Sequence, residues 1–83
     1  MALTGTLTYH GRTYNDIYLR LNITSGGKHL GYWQALASVY NSQEDAETEL
    51  PLFEFDWSIE YVDEYPVPAI YLAIKAEKGL DDA

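Results

Sequence analysis

Three carboxylates, Glu54, Asp56 and Glu60, alternate with large apolar residues along one short stretch of the chain. If the stretch is extended, Glu54 and Asp56 stand about 6.6–7 Å apart on the same side. That separation suits a general acid and base acting together. Such a pair also needs two unlike environments that push its members' pKa values apart. The flanking residues give all three acids the same setting, a hydrated strand face. Two histidines, His10 and His29, lie in or next to turn-like segments and are expected at the same end of the chain's meander. A metal site would need a third ligand, and Asp16 is the only local candidate. Ser25-Gly26-Gly27-Lys28 has the flavour of a phosphate loop, but it lacks the first glycine at the required spacing and a helix to follow. Ser25, Ser38, Ser42 and Ser58 have no nucleophile-elbow surroundings. Tyr9, Tyr14 and Tyr18 could stack bases, but nothing basic surrounds them to hold a phosphate backbone. No catalytic residue, cofactor site or metal site is assigned, and no enzymatic activity is expected.

The elements that would position these groups follow from periodicity. Phe53, Phe55, Trp57, Ile59 and Tyr61 fall on every second residue, with Glu54, Asp56, Ser58 and Glu60 between them. A period of two is that of a β-strand with one aromatic and one acidic face. Leu3, Leu7 and Tyr9 share a parity opposite Thr4, Thr6 and Thr8, which gives a first strand. His10-Gly11 is a two-residue turn, and the chain returns with Ile17, Leu19, Leu21 and Ile23 on one face. Tyr14 has the wrong parity for that stripe, so Asn15-Asp16 is expected to form a bulge. Thr24-Ser25-Gly26-Gly27-Lys28 is expected to be the next turn.

Residues 29–40 fit either a strand apolar on both faces or a helix bearing Leu30, Trp33, Ala37 and Tyr40. The flanking turns favour the strand. Residues 41–50 are polar and acidic, a loop or a single helical turn that Ser42 could cap. Pro51 is expected to begin the aromatic strand, since a proline is tolerated at a strand's first residue. Pro68 opens a closing helix, with Ile70, Ile74 and Glu77 on one face and Val67, Tyr71 and Leu80 near it. Lys75 and Lys78 occupy the last turns, and Gly79 ends it. The expected fold is α+β: one small domain over residues 1–83, a four-stranded antiparallel meander free to curl toward an open barrel, and one C-terminal helix packed on it.

Composition sets limits on function. The chain has 83 residues, no cysteine and a formal net charge of −8. Nine of its acids (Glu44, Asp45, Glu47, Glu49, Glu54, Asp56, Glu60, Asp63, Glu64) lie in residues 44–64, which contain no Lys or Arg. Direct binding to nucleic acid or to an anionic membrane is disfavoured. The N-terminus lacks the basic and apolar regions of a signal peptide, and no apolar run approaches the about 20 residues that span a bilayer. The chain therefore reads as an intracellular protein. Eight Tyr, two Trp and two Phe exceed what one small core can hold. The surplus, with two bare sheet edges, points to assembly, first with copies of the same chain. Tyr18, Tyr32, Trp33 and Tyr40 are the expected interface residues.

Several segments in order, namely a short strand, a glycine turn and Tyr-Asn-Asp-Ile-Tyr-Leu-Arg-Leu over residues 14–21, resemble small proteins of tailed bacteriophages and prophages. Val39-Tyr40-Asn41-Ser42, the acidic alanine-containing stretch after it and the helix leading to Asp81-Asp82-Ala83 carry the same likeness. The resemblance implies a virion or assembly role among tail and baseplate proteins, in the virion or the host cytoplasm, with other virion proteins as partners, while the acidic charge balance points to a basic host protein as the alternative partner. It supplies no catalytic residue. A second expectation from the acids is an inhibitor whose face, beginning with Glu54, Asp56 and Glu60, mimics nucleic acid and blocks a host nucleic-acid-binding protein.

Overall fold

The computed structural model describes residues 2–48 and 50–82. Met1, Glu49 of the acidic block and Ala83 of the tail lie outside the described residues. The chain runs β1 (Leu3–Tyr9), β2 (Arg12–Gly27), β3 (Tyr32–Tyr40), α1 (Gln43–Thr48), β4 (Phe53–Glu60), α2 (Val67–Lys78) and β5 (Asp81–Asp82). The strands form one sheet in the order β4-β3-β2-β1-β5, with every neighbouring pair antiparallel. No helix among the described residues is long and apolar enough to cross a membrane.

The α+β meander and its closing helix are as expected, and residues 32–40 are strand. Two elements are additional. Residues 43–48 form a short helix, where Ser42 Oγ accepts the Asp45 N–H at 3.2 Å. After α2 the chain adds a fifth strand. Gly79 takes a left-handed conformation (φ 68°), the Leu80 N–H donates to the Lys75 carbonyl at 3.1 Å, and Asp81 and Asp82 pair with Thr4 and Leu3. Asp is a poor strand former, so two aspartates give no local strand signal. The strand exists because buried Leu80 anchors the reversed chain, with the Lys75–Asp82 ion pair at 2.9 Å beside it.

His10 (φ 50°) and Gly11 (φ 78°) make the β1–β2 turn, with the two positive φ angles of a type I′ hairpin. The expected bulge is present. Gly5 faces Ile17 and Leu7 faces Tyr14, so Thr6 alone spans Asn15 and Asp16 (φ 54°). The reset parity lets Tyr14 pack against the core.

The expected turn at residues 24–28 is not one. Strand β2 continues to Gly27, and the turn lies at residues 28–31. A second bulge at Thr24 shifts the register between Ile23 and Ser25 and sets Gly26 opposite Trp33. Gly26 serves close approach within a strand. A Cβ on Gly26 (φ 132°) would stand 2.5 Å from the Tyr32 carbonyl oxygen and 2.7 Å from Trp33 Cα. This register also separates the histidines. His10 and His29 lie at opposite ends of sixteen-residue β2, because consecutive hairpin turns fall at opposite ends of the strand they share.

The core lies between the apolar face of the sheet and α2. Leu3, Ile17, Leu19, Val39, Ile70 and Ile74 are its largest fully buried side chains. The sheet is not closed, yet it curls strongly. Strands β1 and β4 are not neighbours, but the Tyr9 ring stacks on Phe53 at 4.3 Å between centroids and 6° between planes. We expect Gly26→Ala to lose about 2–4 kcal/mol, the combined cost of a strained φ and an overpacked contact. Urea denaturation followed by circular dichroism measures it.

Candidate functional site

The wet face of the sheet gathers most of the residues singled out from the sequence. Register places Tyr18 beside Tyr40, then Arg20, Ser38 and Glu54 in one row across three strands. Asn22, Leu36 and Asp56 form the next such row, and Tyr32 faces Glu60 at the far end. Ser38 is buried and donates to Glu54 Oε2 at 2.7 Å. Arg20 Nη1 donates to the Ala46 carbonyl at 3.4 Å and tethers α1 to this side. Tyr18, Tyr32, Leu36 and Tyr40 are half-buried, while Asp56 and Glu60 are exposed.

Trp33, the fourth expected interface residue, is not on this face. It stacks on Tyr61 at 5.9 Å, and its Nε1–H donates to the Val62 carbonyl at 3.0 Å. Its parity matches Ala35, Ala37 and Val39, so its ring holds residues 61–62 at the mouth of the core. Beyond it, the Tyr61 hydroxyl donates to Asp63 Oδ1 at 2.9 Å, and this bond raises the hydroxyl's pKa above the usual tyrosine range.

Two clefts flank the core helix. One, of about 290 Å³, is lined by Arg20, Leu21, Tyr65, Val67, Pro68 and Tyr71. The other, of about 200 Å³, runs between β1 and β4 past Tyr9, Phe55, Asp56 and Trp57. Lys78 lies over the Trp57 ring there, 5.8 Å from its centroid. Among the described residues, no group of three or more His, Asp or Glu side chains is placed to hold a metal ion.

Neither cleft was visible in the sequence. Tyr71 was read only as a neighbour of the helix's apolar face, but its hydroxyl has a specific partner. Strand β1 begins at Leu3, opposite Leu19, so among the described residues Leu21 has no β1 partner. The Tyr71 hydroxyl accepts the Leu21 N–H at 3.0 Å. A tyrosine beside isoleucines in a helix gives a weak signal of this kind, because a buried phenol needs a polar partner.

No family model, curated protein or solved structure matches this chain.

Burial raises the Tyr71 pKa, and the Leu21 N–H bond and the Arg20 charge oppose that rise in part. An acid whose folded pKa lies above its unfolded value stabilises the fold fully below the unfolded value, about 10 for tyrosine. The contribution is lost as pH rises through the folded pKa. Melting temperature measured from pH 7 to 11 should therefore fall above about pH 10. Tyr71→Phe should cost about 1–2 kcal/mol at pH 7, where the Leu21 N–H loses its acceptor, and should flatten the alkaline fall. An equally steep fall in the variant would assign the pH dependence to other groups.

Proposed function

We propose that this chain is a non-enzymatic structural or assembly protein that works by contact with other protein chains, copies of itself among them. The resemblance to small tailed-phage proteins supports a place in a tail, a baseplate or a similar virion complex. The observation that carries the reading is the wet face of the sheet. Tyr18 and Tyr40 are side by side on it, with Leu36 and Tyr32 further along, all half-buried. A solvent-facing sheet surface is ordinarily polar. Apolar rings with wet hydroxyls are the residue type enriched at protein interfaces. The backbone that carries the rings is held in place, because β3 and its neighbours pair along their lengths.

The acids fit the same reading as a specificity device. Glu54, Asp56 and Glu60 edge the tyrosine surface, and a charged rim steers a complementary partner and rejects others. The Ser38 hydroxyl fixes Glu54 at that rim.

Sedimentation velocity at high micromolar concentration tests self-assembly. An oligomer is expected, and the double variant Tyr18→Ser/Tyr40→Ser should move it toward monomer with an unchanged circular dichroism spectrum. A central aromatic anchor contributes about 2 kcal/mol, so each ring removed should weaken association about thirtyfold. A strict monomer in the parent protein would overturn the homo-oligomer.

A further inference from the structure

The two margins of the sheet are built differently. On the β1 side, the two-residue strand β5 covers Leu3 and Thr4, Leu80 packs over Gly5, and a bulge interrupts the β1–β2 register at Thr6. These are ordinary ways of blunting an edge against pairing. On the β4 side no strand among the described residues pairs with the outer margin. Strand β4 ends the strand order, pairs with β3 over eight positions without a register shift, and contains no Pro, Gly or Lys.

The ladder fixes what this margin presents. The Tyr61 N–H donates to the Gly31 carbonyl at 3.1 Å, in register with the Trp33–Ile59 pair. Hydrogen-bonded pairs alternate along an antiparallel ladder. Residues 55, 57 and 59 therefore bond to β3, and the backbone N–H and C=O groups of Glu54, Asp56, Ser58 and Glu60 point away from the sheet. The side chains of these four residues are exposed on the wet face. On the other face the row Phe53, Phe55, Trp57 and Ile59 is half-buried, covered in part by Tyr9 and Lys78 but paired with no further strand among the described residues.

We propose that the β4 edge receives one extended strand of a partner protein in which basic and apolar residues alternate. Basic side chains would meet Glu54, Asp56 and Glu60, and apolar ones would cover the open margin of the aromatic row. A second copy of β4 is the wrong occupant. Antiparallel self-pairing that keeps apolar faces together sets Asp56 against its own counterpart, or Glu54 against the counterpart of Glu60. Like charges directly across a ladder destabilise it. No other segment of the chain fits either, since its bases Arg12, Arg20, Lys28, Lys75 and Lys78 are nowhere two residues apart. The occupant is a different protein, and the inference rests on the reading that this chain works by protein contact.

Nuclear magnetic resonance titration with three synthetic peptides tests the proposal: Lys-Val-Lys-Val-Lys-Val, the blocked sequence Lys-Lys-Lys-Val-Val-Val, and Glu-Val-Glu-Val-Glu-Val. The alternating basic peptide should bind at least about tenfold tighter than the blocked one and slow amide exchange at Glu54, Asp56, Ser58 and Glu60. Ser58→Pro removes an outward N–H that the β3 ladder does not use. It should keep the native spectrum and weaken binding at least about tenfold. Asp56→Lys/Glu60→Lys changes exposed side chains only and should reverse the preference toward the acidic peptide. This second variant decides the matter if the proline variant does not fold. Equal binding of the basic peptides without protection of those amides, or no binding at millimolar peptide, would overturn the proposal. Sedimentation of the free chain reports self-assembly separately, so a persisting oligomer with a failed titration rejects the edge site alone.

Discussion

One helix must cover the apolar face of a sheet much larger than itself. Helix α2 has twelve residues, about 18 Å of length, whereas β2 alone has sixteen residues. A flat sheet would leave most of its apolar face in water. Curling resolves this. The ends of the sheet bend toward each other until rings from β1 and β4 stack, and α2 fills the hollow that remains. The two bulges of β2, at Asn15-Asp16 and at Thr24, add local bend and twist to the strand that must curve most. Gly26 lets the backbones close up beneath Trp33, and the Tyr71 hydroxyl caps β2 where β1 has run out.

The same geometry explains the character of the outer surface. Curling concentrates large side chains inside, so the outer face has room for residues that the core does not use. Two of its polar groups have partners within the chain: Ser38 donates to Glu54, and Arg20 to the carbonyl of Ala46. The result is a tyrosine-bearing surface with an acidic border. The curl also leaves β1 and β4 joined through side chains without backbone pairing. The sheet is not closed, and the outer margin of β4 pairs with no strand among the described residues.

Much of this was legible in the residues. Alternation in 53–60 made β4 a strand with one aromatic face. The misplaced parity of Tyr14 required a bulge at Asn15-Asp16, and His10-Gly11 required a tight turn. Pro68 and Gly79 marked the ends of α2. Each of these signals concerns a conformation or a face set by residues adjacent in the chain, which is the information a linear sequence holds.

The remainder was decided by contacts between distant residues. Gly26-Gly27 had the composition of a turn, and only the Trp33 ring pressed against Gly26 shows them to lie within a strand. Two aspartates became a fifth strand because Leu80 is buried and Leu3 and Thr4 lay open to pairing. Trp33 shared the aromatic character of Tyr18 and Tyr40, yet strand parity sent it to the core side, where the Val62 carbonyl takes its N–H. The stacking of Tyr9 on Phe53 joins residues more than half the chain apart. The sequence by itself determined the aromatic strand, the first hairpin with its bulge, the closing helix and the apolar side of each, because period and turn chemistry are local. Tertiary structure alone decided how far the sheet curls, which margin is covered and which side chains meet, because those depend on the packing of the whole core.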